Sequence, residues 1–109
     1  MKVLFDQGTP VPLRRALTGH VVSTAYELGW ATMTNGEFLD AAEAVGFEAL
    51  VTTDGNLPYQ QKIEGLRIGV LVLPTTDWTT IRRHTDRIAS AVATLRPGDV
   101  LRVTFEGRS

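Results

Sequence analysis

A chain of 109 residues with 43% hydrophobic and 21% charged residues is long enough to bury one core and too apolar to stay disordered, so one globular domain spanning residues 1–109 is expected. It contains no cysteine, which excludes a disulfide framework and thiolate metal sites, and its net charge of -1 offers no overall attraction to a polyanion. No apolar stretch approaches the roughly 20 residues of a membrane span, so the expectation is a soluble protein of the cytoplasm.

Strand-like and helix-like segments alternate along the chain, the pattern of an α/β layered domain. Strands are predicted at about 2–5, 20–24, 49–53, 67–73 and 99–105. After the first, Pro10 and Pro12 suit the opening turn of a helix that runs to about Leu17 and stops at Gly19. Thr34-Asn35-Gly36-Glu37 has the spacing of a capping box, with Phe38, Leu39, Ala42 and Val45 as the apolar stripe behind it and Gly46 as the stop. Leu66 to Leu73 is a near-continuous aliphatic run, which suits a strand covered on both faces. Trp78, Ile81, Ile88, Val92 and Leu95 recur at helical intervals, with Asp77 placed to cap and Arg96-Pro97-Gly98 to stop. The last strand alternates Val100, Arg102 and Thr104 against Leu101, Val103 and Phe105, as an edge strand with one wet face does. Gly107-Arg108-Ser109 reads as a frayed tail. The expected fold is a five-stranded, mostly parallel sheet with its first strand interior, right-handed crossovers, helices on both faces, and Val51 and Leu71 deeply buried.

Two of the strands end in an aspartate, Asp6 after Met1-Lys2-Val3-Leu4-Phe5 and Asp54 after Ala49-Leu50-Val51-Thr52-Thr53. Parallel strands would bring both carboxylates to one sheet edge, where α/β proteins bind ligands. Such neighbours repel, and a shared proton or a bound cation resolves the repulsion. The alternative is that each aspartate closes an Asx-type turn on the backbone amides that follow. Gln7 and Thr9 accompany Asp6, Asn56 follows Asp54, and Ser23 and Thr24 end the second strand at the same edge. Glu37, Asp40 and Glu43 are candidates for a third acid; against this, Glu37 can serve as the capping partner of Thr34, and Asp40 and Glu43 fit a solvated helix face. His20 falls at the opposite, amino edge, and His84 falls on a surface position. The basic groups Arg14-Arg15 and Arg82-Arg83-His84-Arg87 read either as nucleic-acid contacts or as solvated faces. No phosphate-binding glycine motif and no nucleophile paired with a base is present.

The runs Leu4-Phe5-Asp6-Gln7-Gly8-Thr9-Pro10, Gly19-His20, Asn35-Gly36-Glu37, Leu50-Val51-Thr52-Thr53-Asp54-Gly55-Asn56-Leu57 and Tyr59-Gln60-Gln61 resemble, in this order, the small stand-alone PIN-like proteins of bacteria, relatives of the PIN nucleases that include VapC-type toxins. The resemblance implies a three-layer α/β/α domain whose acids bind Mg²⁺ or Mn²⁺ for phosphodiester hydrolysis. Asp6 and Asp54 match the family's aspartates and would be cation ligands, with Glu37 as a further ligand or as base for the attacking water. Asn35 and Asn56 stand where relatives often have an acid, which lowers the charge available for a second cation. Gln7, Thr9, Thr24, Asn35 and Asn56 would line or orient the site, and Arg14 and Arg15 would meet the nucleic acid. The expected partners are an RNA substrate and a small antitoxin-like protein, with a homodimer of the chain as a further expectation. The competing expectation is a binding module that keeps the fold and has lost the chemistry.

Overall fold

In the computed structural model, residues 1–105 are described; the expected tail at 107–109 lies outside them. Five strands, β1 (Lys2–Phe5), β2 (Val21–Thr24), β3 (Ala49–Thr52), β4 (Gly69–Val72) and β5 (Val100–Arg102), form one sheet in the order β2-β1-β3-β4-β5. All four pairings are parallel, with β1 interior and β2 and β5 at the edges. The strand positions follow the sequence expectation, with shorter ends at 67–73 and 99–105.

Alternation along each interior strand divides the core into two layers. Val3, Phe5, Val51 and Leu71 pack on one face against Leu13, Ile81, Ile88 and Val92. Leu4, Leu50, Val70 and Val72 pack on the other against Phe38, Leu39, Ala42 and Ile63. The protein is therefore a three-layer α/β/α sandwich, and Val51 and Leu71 have no exposed surface.

The first connection is a 3-10 helix, Val11–Ala16, with proline in its first turn, where the missing N–H costs nothing. Two α-helices follow β2. The first, α1 (Ala25–Leu28), lies outside the sequence expectation, although Thr24 and Glu27 close a capping box. The second, α2 (Asn35–Val45), has the predicted box between Thr34 and Glu37 and ends on Gly46 at φ 95, a left-handed conformation that glycine adopts without steric cost. A short α3 (Leu57–Gln60) leads from β3 towards β4.

Instead of one helix from Trp78 to Leu95, the chain forms α4 (Trp78–Ile81), a 3-10 turn (Arg82–His84) and α5 (Thr85–Thr94). The break falls where His84 leaves helical geometry, at φ -127 and ψ 23, and its ring stacks on Phe105 with centroids 4.1 Å apart. His84 is thus half-buried rather than a surface residue. Asp77 caps α4 as expected, its Oδ1 accepting the Thr79 N–H at 3.3 Å. No helix of the described residues is long and apolar enough to cross a membrane.

The step from β3 to β4 and the step from β4 to β5 run in the same direction along the sheet, yet they cross opposite faces. They consequently have opposite hands, and one of them departs from the right-handed rule. The reason lies in coverage: a 3-10 helix of 6 residues cannot shield the Val3, Phe5, Val51 and Leu71 face, and the stripe Ile81, Ile88 and Val92 completes it.

Candidate functional site

The strand order reverses between β1 and β3, and the carboxyl ends of strands at such a reversal are where open α/β sheets bind ligands. Asp6 and Asp54 both stand there. Because Phe5 pairs with Val51, Asp6 falls opposite Thr52 and Asp54 lies two positions further along, an offset of about 6–7 Å at the usual rise per strand residue. The acids share the edge without standing abreast.

Asp6 is held by two hydroxyls. Thr9 Oγ1 lies 2.6 Å from its Oδ1, and Thr52 Oγ1 donates to its Oδ2. The Thr52 hydroxyl also accepts the backbone N–H of Asp54 at 3.0 Å, so one buried threonine couples the two turns. Thr9 Oγ1 is also 2.9 Å from the Val51 carbonyl, which ties the loop after β1 to β3. Gly8 permits this closeness, since a Cβ there would collide with Thr53 Oγ1. Buried polar groups need partners. The buried polar residues of the described chain are Thr9, Thr24 and Thr52, and all three lie at this edge.

Asp54 closes an Asx turn, its Oδ1 accepting the Asn56 N–H at 2.9 Å. Its Oδ2 is 3.4 Å from Asn35 Nδ2, which also reaches Gln60 Oε1 at 3.3 Å and so joins the start of α2 to α3. Asn35 thus meets Asp54 directly, whereas Asn56 contributes its backbone. Gln7 and Thr9 line a hollow of about 370 Å³ together with Asp6, Val11, Thr24, Tyr26 and Glu27. Thr24 also caps α1, where its hydroxyl accepts the Glu27 N–H at 3.1 Å.

The other expected acids are used locally. Glu37 Oε1 accepts the Thr34 N–H at 3.0 Å, and this bond, with the Thr34 hydroxyl, holds its carboxyl below the usual range. Asp40 is exposed, and Glu43 accepts the Arg67 N–H at 2.6 Å just ahead of β4, at the amino edge. Arg14 pairs with Glu27 at 2.5 Å, and this contact, together with the Thr24 N–H, lowers the Glu27 pKa. Arg15 is exposed. His20 lies at the amino edge as expected, 3.2 Å from the Met1 amino group.

Sequence reasoning missed Thr52, Tyr26, Glu27 and Tyr59 as parts of this edge. For Glu27 the signal was available, because Thr24-Ala25-Tyr26-Glu27 repeats the capping-box spacing of Thr34 to Glu37. Nothing local marks Thr52 as the link between two strands.

Among the described residues, no three His, Asp or Glu side chains gather into a metal-holding group. The donor set is two carboxylates with neutral hydroxyl and amide oxygens. That set suits Mg²⁺, which commonly takes one or two carboxylates and completes its shell with water and substrate phosphate. The molecule is an α/β protein with a pair of aspartates at its topological switch point. No family model, curated protein or solved structure matches it.

Proposed function

We propose that this protein is a ribonuclease-like phosphodiester hydrolase that depends on Mg²⁺ or Mn²⁺, in keeping with its resemblance to PIN-like proteins. The observation that carries the reading is the placement of Asp6 and Asp54 at one carboxyl edge, with Asp6 oriented by Thr9 and Thr52. Asp6 and Asp54 would hold the cation. When bound, it would lower the pKa of an attacking water and neutralise charge on the phosphate. Asn35 and Gln7 would orient water or phosphate oxygens, and Thr52 keeps the two turns in register. Glu37 enters this role only by giving up its bond to Thr34. A toxin restrained by a small partner protein is the biological setting the resemblance implies.

One observation favours the second reading, a binding module without chemistry: Asp54 Oδ1 is already engaged in a turn and no third acid joins the pair among the described residues. The two readings separate on adding metal. If the aspartates are ligands, Mn²⁺ or Mg²⁺ raises the melting temperature, because a ligand specific to the native state stabilises it by mass action. That response, and cleavage of a labelled single-stranded RNA, vanish in Asp6→Asn and Asp54→Asn. A parent protein that shows neither metal response nor cleavage leaves only the binding module.

A further inference from the structure

We propose that Tyr26 and Tyr59, the latter backed by Arg102, are base-stacking surfaces on the two flanks of the aspartate pair, and that the edge receives single-stranded nucleic acid with at least two bases seated. The inference rests on the phosphodiester reading of this edge and names the form of its substrate. The chain has two tyrosines, and both follow a strand into a short helix at the carboxyl edge. Tyr26 is 80% exposed and Tyr59 81%, while Phe5, Phe38 and Phe47 are buried in the core. No other aromatic side chain of the described residues is exposed. An aromatic ring left in water adds nothing to the core and keeps at least one face open to a ligand.

Tyr59 is also held. The Arg102 guanidinium lies 5.0 Å from its ring centroid, within cation–π range, and Arg102 Nη2 donates to the Gly55 carbonyl at 3.0 Å. This bond anchors the pair to the residue next to Asp54. At the other flank, Tyr26 and Val11 border the hollow that reaches Asp6 and Gln7, and an adjoining hollow of about 100 Å³ runs from Asp6 and Gln7 to Asn35. The surface from Tyr26 through the aspartates to Tyr59 starts at the end of β2, passes those of β1 and β3, and ends where Tyr59 meets Arg102 of β5. Unpaired bases stack on aromatic and guanidinium planes, whereas bases within a duplex present no free face.

The test measures fluorescence anisotropy with a labelled single-stranded oligouridylate, an abasic strand of equal length and a duplex. Asp6→Asn serves as background, so that binding is read apart from cleavage. Tyr26→Ala and Tyr59→Ala should each weaken binding of the single strand by about 5- to 150-fold, the range for losing one stacked base. Tyr59→Phe should bind like the Asp6→Asn background, and the abasic strand and the duplex should bind worse than oligouridylate. Because both side chains are exposed, unchanged melting temperatures show that the variants fold. Tyrosine-independent binding, equal binding of the abasic strand, or no binding at all overturns the proposal. Tyrosine-dependent binding by a parent that never cleaves RNA supports it while sinking the nuclease reading; cleavage by a protein whose binding ignores both tyrosines does the reverse.

Discussion

Thr52 is the residue on which the geometry of the edge depends. Its hydroxyl accepts from Asp54 N–H and donates to Asp6, so one oxygen satisfies groups on two strands. Replacement by valine keeps the shape and leaves both partners short of a bond. Thr52→Val should therefore lose about 1–3 kcal/mol in urea unfolding, the cost of unsatisfied buried polar groups. A variant as stable as the parent would show that the link between the turns carries no weight. Asp54 differs in kind. Its turn bond to Asn56 uses only Oδ1, which an asparagine can reproduce, so Asp54→Asn keeps the turn while removing the charge and the Oδ2 contact to Asn35.

At the scale of elements, two capping boxes start the helices that border the site, Thr24 with Glu27 on α1 and Thr34 with Glu37 on α2. Both glutamates are held below the ordinary carboxylate range, Glu27 by Arg14 and then the Thr24 N–H, Glu37 by the Thr34 N–H and hydroxyl. A carboxyl whose pKa is depressed on folding contributes stability above its unfolded value and loses it as pH falls through the folded value. Thermal melts should accordingly show stability falling on acidification below the ordinary glutamate pKa. Glu27→Gln, which keeps a capping amide but abolishes the ion pair with Arg14, should make that fall shallower. An unchanged slope would mean that the pair is no better than solvent, as exposed ion pairs often are.

For the whole molecule, the sheet order determines what the helices must cover. Leu71 is fully buried on the face shared by Val51, Ile81, Ile88 and Val92. Leu71→Ala should cost about 2–5 kcal/mol in denaturant, the range for truncating a core leucine. A loss below about 1 kcal/mol would show that α4 and α5 do not seal this face. The same requirement bears on the last crossover: the short 3-10 helix after β1 leaves that face open, and carrying the chain over it from β4 to β5 closes it, on the face opposite to the one crossed from β3 to β4.

Period-two and helical patterns are local, so the strands, the Thr34 box and the stop at Gly46 could be read from neighbouring residues alone, as could the position of Asp6 and Asp54 at strand ends. Strand order, by contrast, depends on pairing between distant segments. Only the tertiary structure shows that β1 and β3 are neighbours, that the two aspartates are offset by two residues, and that Thr52 reaches Asp6 across 46 positions of chain. It also decides which side chains remain free: Glu37 is taken by its own cap, Arg14 by Glu27, and the unpredicted tyrosines stand exposed. Local spacing determined the strands and the Thr34 cap, but neither α1 nor the break at His84. Hydrogen bonds and burial between residues far apart in the chain, which leave no periodic trace in it, determined the site.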